Sequence, residues 1–114
     1  MVRGEPIYPK NDAVAQVLVT SKLTAAPATG LSMDFWLAAT STGNAIDSSL
    51  QVTATESPSE PGRYYGVFEG TAIDAVLNNA TYLGKDVFQI FGNGSDIQAV
   101  IRRRVKKERT TDAG

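Results

Sequence analysis

The chain has 114 residues, with 11 Lys and Arg against 12 Asp and Glu, for a formal net charge of −1. It contains neither Cys nor His, which excludes disulfides, thiolate nucleophiles and thiolate metal sites and removes the usual general base near neutral pH. The length suits one domain that can bury a core without staples, and the composition points to binding or assembly, not to an enzyme; no cofactor, metal or small-molecule substrate is expected.

Residues 1–12 are polar and lack the apolar run of a secretory signal, and no stretch approaches the ~20 apolar residues of a membrane span. They read as an extended N-terminal arm ahead of a β-domain at 13–106, in a protein assembled in the cytoplasm with no membrane partner. Ala13 to Leu23 is rich in β-branched residues, with Val17, Val19 and Leu23 at even spacing, and predicts a strand. Pro27 and Gly30 punctuate a turn. In Leu31 to Thr40, Met33, Phe35 and Leu37 alternate with Ser32, Asp34 and Trp36, the pattern of a half-buried strand. Ile46 to Thr55 predicts another, with Leu50, Val52 and Ala54 on one face.

The two prolines of Ser57-Pro-Ser-Glu-Pro-Gly62 remove ladder donors, so this segment is a surface loop leading into a strand at Arg63 to Glu69. There Tyr64, Gly66 and Phe68 face one way and Tyr65, Val67 and Glu69 the other. Thr71 with Asp74 resembles a capping box, and Ile73, Val76 and Leu77 have helical spacing, so one short helix is expected near residues 72–79. Val87 to Phe91 and Ile97 to Val105 flank Gly92-Asn-Gly-Ser95, which is the strongest hairpin signal in the chain. Residues 107–114 read as a polar C-terminal tail.

Charge is segregated along the sequence. Through Ile101 the chain carries five basic and ten acidic residues, a charge of −5; the last thirteen positions carry six basic and two acidic, a charge of +4. The basic residues are Arg102, Arg103, Arg104, Lys106, Lys107 and Arg109. A chain with an acidic body and a basic end attracts a copy of itself or another acidic protein. Contact with nucleic-acid phosphates is the less favoured use of the tract, because the chain as a whole is slightly acidic. Its alternate members Arg102, Arg104 and Lys106 also suit a charged edge that discourages strand pairing.

Short strands with turns every 8 to 12 residues and no βαβ rhythm predict an all-β fold, an antiparallel sandwich or small barrel with one short helix. The tract Pro61-Gly62-Arg63-Tyr64-Tyr65 resembles the Gly-x-Tyr step that opens a late strand in immunoglobulin-like sandwiches. The wider layout from Ala13 to Val105, with its Thr-Gly turn, Phe35-Trp36-Leu37 strand and closing hairpin, resembles small immunoglobulin-like proteins of tailed-bacteriophage virions. The paired cysteines of antibody domains are missing. The resemblance implies a structural virion protein that packs against copies of itself and other virion proteins, at the head-to-tail connection in the first instance, with capsid decoration as an alternative. A further alternative is a carbohydrate or host-surface binding module using exposed aromatics. Candidate protein-interaction residues are therefore Trp36, Tyr65 and the six basic residues of the tract; no catalytic, cofactor-binding or metal-ligating residue is expected.

Overall fold

The hairpin supplies the centre of the fold. In the computed structural model, which describes residues 2–9, 16–22, 29–94 and 96–106, strands β7 (Asp86–Asn93) and β8 (Asp96–Arg104) pair antiparallel, and Asn93 opposes Asp96 at the turn. On the β7 side, β3 (Asp34–Ala38) and then β4 (Gln51–Thr53) extend the sheet antiparallel. On the β8 side, β1 (Val2–Arg3) adds a short parallel strand, giving five strands in the order β1-β8-β7-β3-β4. A second antiparallel sheet has the order β2-β6-β5, formed by Gln16–Lys22, Arg63–Glu69 and Thr55–Glu56. The chain passes from one sheet to the other at Ala54, whose amide donates to Met33 O at 2.9 Å.

The two sheets enclose one core, giving a β-sandwich architecture. Phe35, Leu37, Val87 and Phe91 enter it from the larger sheet, and Tyr64 and Phe68 from the smaller. The Phe91 ring lies 4.9 Å from Phe35 and 5.1 Å from Tyr64, so one hairpin residue links the layers in tilted aromatic pairs. Tyr64 is fully buried, and its hydroxyl accepts from Leu31 N at 3.1 Å. Helix α1 (Gly70–Leu77) closes one end by burying Ile73 and Leu77, four residues apart on one face.

The sequence pattern and the structure part in several places. The helix starts earlier than expected: Glu69 is its N-cap, without a side-chain capping bond, and Thr71 lies inside the first turn. Asp74 instead accepts from Asn78 Nδ2 at the other end, so the capping-box reading is corrected. The strand expected from Ile46 begins later, because Asp47 accepts from Ser49 N at 2.9 Å and opens a short 3-10 turn, Ser48–Leu50. Leu50 is buried nonetheless, with Val52 and Ala54 packed on the same core.

Residues 2–9 of the segment expected as an extended N-terminal arm lie against the domain itself. Val2 and Arg3 are in register with Ile101 and Arg102, Ile7 bridges Val105, and Ile7 is 1% exposed. Backbone bonds run from Gly4 N to Arg102 O, from Ile7 N to Arg104 O and from Lys106 N to Ile7 O, each at 2.9 Å. It follows that β8 is an interior strand, and its alternating cations do not guard a sheet edge.

Two outcomes are expected. Phe91→Ala removes the ring shared by both layers and costs about 3–5 kcal/mol in urea unfolding. Glu56 clasps two loops, its carboxylate accepting from Gly30 N at 2.8 Å and Gly62 N at 3.0 Å. These amides, Gly30 first, hold its pKa below the ordinary 4.5. A carboxyl lowered in the folded state stabilises it above the ordinary value and loses that contribution as pH falls through the lower folded value. Stability of the wild type therefore declines on acidification below about pH 4.5, and Glu56→Gln flattens that decline in unfolding curves taken across the range.

Candidate docking face

An antiparallel sheet with one solvated face shows a strict apolar and polar alternation. Strand β7 does not: Val87, Gln89, Ile90, Phe91 and Gly92 are all buried, and Phe88 is half-buried. Its odd members Val87 and Phe91 face the core, so Phe88 and Ile90 stand on the outside of the larger sheet. Register then places Trp36, Ile90 and Val100 in one row across β3, β7 and β8, and Ala38, Phe88 and Arg102 in the next. The row beyond pairs Asp86 with Arg104. The outer face is an apolar strip that ends in arginines.

Part of the strip is covered by the chain itself. The loop after β3 folds back over it: Ile46 N donates to Leu37 O at 2.8 Å, Ala45 bridges Ala38, and Trp36 Nε1 donates to Gly43 O at 2.9 Å. From the other side the hairpin tip bends over the indole at an irregularity between Phe91 and Gly92. A Cβ at Gly92 would lie 2.6 Å from Asp96 O and 3.3 Å from Trp36 Cη2. Trp36, Ala38 and Ile90 are thereby at most 5% exposed. A shallow cleft of about 310 Å³ remains above Trp36, between Asn44, Ala45, Ser48, Gln51 and Gly94. Phe88, Ile97 and Val100 pack against this cluster and stay partly open to solvent.

The basic tract splits by strand parity. Arg102 and Arg104 stand on the outer face, and both reach one carboxylate: Asp86 lies 2.7 Å from Arg104 Nε and 3.6 Å from Arg102 Nε. Two guanidinium groups thus share one Asp, and their side chains remain 43% and 41% exposed. Arg103 points the other way, donating to Gln89 Oε1 and to Glu5 O, both at 2.8 Å. It satisfies a buried amide and ties down the N-terminal segment, so its place is structural. Lys106 is exposed just past β8; Lys107 and Arg109 lie outside the described residues.

The two candidate aromatics are not brought together. Trp36 lies on the outside of the larger sheet, whereas Tyr65 is half-buried on the outside of the smaller one, in register with Thr20 and Thr55. Two packed sheets are ~10 Å apart, and the indole is covered, so these rings form no common stacking platform. Asp86 and Phe88 were given no role by the sequence; the apolar run of β7, interrupted only by Gln89, was the available signal for Phe88.

Comparison with known proteins returns no match: no family model fits the chain, and no curated protein or solved structure is significantly similar to it. Among the described residues no group of three or more Asp and Glu side chains could hold a metal ion, and no helix is long and apolar enough to cross a membrane.

The cover over Trp36 is directly testable. As the sole Trp, it should show blue-shifted emission and slow acrylamide quenching in the native state, both reverting in urea. Gly94 holds φ +61° with open space around its Cβ position. Gly94→Val is expected to cost about 1–2 kcal/mol through backbone strain alone, and Gly94→Asn much less, in parallel denaturation curves.

Proposed function

We propose that this protein is a structural assembly protein that docks through the outer face of its larger sheet. The observation that carries this reading is the apolar strip of Phe88, Ile97 and Val100, left partly open and bounded by Arg102 and Arg104. Apolar side chains beside arginines are the chemistry of protein interfaces, where Arg is enriched and Lys and acidic residues are depleted at the centre. The surplus positive charge at this end favours an acidic partner surface and supplies orientation more than affinity.

The resemblance carried by Pro61-Gly62-Arg63-Tyr64-Tyr65 and by the closing hairpin extends the proposal to its setting. We read the sandwich as immunoglobulin-like and the protein as a component of a tailed-phage virion at the head-to-tail connection, packing on copies of itself and other virion proteins after synthesis in the host cytoplasm. A partly open apolar strip with a charged rim suits contact between protein subunits.

The test replaces Arg102, Arg104 and Lys106 with Ser and retains Arg103, because its loss would leave Gln89 unpaired at about 1–3 kcal/mol. The two Asp86 pairs are only partly exposed, and ion pairs near the surface contribute about 0–1 kcal/mol each, so the thermal midpoint should fall by several degrees at most while the fold is retained. Particles assembled in cells supplying only this variant should incorporate less of it, and its residual assembly in vitro should depend less on salt than that of the wild type. Full incorporation would remove the outer face from the assembly contact.

A further inference from the structure

Resting on the docking reading above, we infer that the partner of the basic end is a second copy of this chain, engaged head to tail through its hairpin-tip end. The larger sheet is polar along its strands. At one end stand Arg102 and Arg104, with Lys106 just beyond. At the other, Asp34 lies beside Gly92 in register, and Asp96 is exposed at the turn. The eight intervals from Asp96 to Arg104 span roughly 27 Å of extended strand at ~3.4 Å each. The opposite charges therefore lie too far apart for direct pairing within a copy, and each end is available to another molecule.

Both acidic groups keep their charge accessible. Asp34 accepts from Gln51 Nε2 at 3.0 Å and Asp96 from Gln98 Nε2 at 2.7 Å, neutral donors that orient the carboxylates without neutralising them. The basic end adds half-buried Phe88 and Val100 beside its cations, and the acidic tip adds half-buried Ile97 beside Asp96. Each end thus offers one sign of charge with adjoining apolar surface, and the two are complementary. Because the two patches differ, the contact is heterologous: it repeats from copy to copy and yields a closed ring or an open filament, not a two-fold dimer.

Charge exchange tests this. One variant carries Arg102→Glu and Lys106→Glu, which leaves the Arg104–Asp86 pair intact; the other carries Asp34→Lys and Asp96→Lys, with Asp96→Lys alone as the milder form. Molar mass is measured by light scattering at about 0.05 M salt and at about 1 M, where the screening length falls to ~3 Å, with circular dichroism confirming the fold. The wild type should form multimers that dissociate at high salt. Each variant alone should self-associate about tenfold more weakly or less, and an equimolar mixture should regain multimers. Undiminished assembly of either variant alone, or a monomeric mixture, overturns the inference. A wild type that is monomeric throughout also overturns it; if the Ser variant above is still lost from particles in that case, the docking reading stands with a different partner.

Discussion

The register between β7 and β8 is the constraint on which the rest depends. With Phe91 opposite Ala99 and Ile90 opposite Val100, Phe91 meets Phe35 and Tyr64 inside the sandwich while Ile90 meets Trp36 outside. A slip of one residue in β8 would send its side chains to the other face, placing Arg102 and Arg104 toward the core beside Phe91. The turn that fixes this register needs a positive φ at Gly94, and the irregularity after Phe91 bends the tip over the indole. Core, cover and charged face are therefore consequences of one pairing.

The two faces of that pairing have different energetics. Inside, fully buried aromatics each contribute on the order of 1.5–3 kcal/mol by leaving water, which gives the fold its stability. Outside, the half-buried Phe88, Ile97 and Val100 contribute less to folding and keep surface in reserve for a contact. Asp86 moderates the cost of gathering arginines there: one carboxylate between two guanidinium groups reduces their repulsion without cancelling their charge. Arg103 uses the same residue type for the opposite purpose, joining Gln89 to the backbone of Glu5 and so fixing the N-terminal segment against β8.

Local rules made much of this legible. Alternation in Arg63 to Glu69 put Tyr64 and Phe68 on one face and Tyr65 on the other, and the Asn-Gly turn located the hairpin. What could not be read was non-local. The pairing of Val2 with Ile101 spans nearly the whole chain and leaves no periodic trace in a short polar segment containing two prolines, so that segment read as an arm. The capping box failed because Glu69 continues directly from strand into helix, leaving Thr71 no cap position to occupy. Among the basic residues, a charge count treats Arg102, Arg103 and Arg104 alike, whereas strand parity gives the middle one to the interior. Trp36 showed its polar-side position in the sequence, but its burial follows from a loop and a hairpin tip that only the tertiary structure brings over it.

The claim that the outer face of the larger sheet is the contact surface is tested most directly by hydroxyl-radical footprinting of Phe88 and Tyr65, in the isolated protein and in its assembled state. Oxidation of Phe88 should fall sharply on assembly while that of Tyr65, on the opposite sheet, stays unchanged. Equal labelling of Phe88 in both states, with protection appearing at Tyr65 instead, would place the contact on the smaller sheet and contradict the assignment.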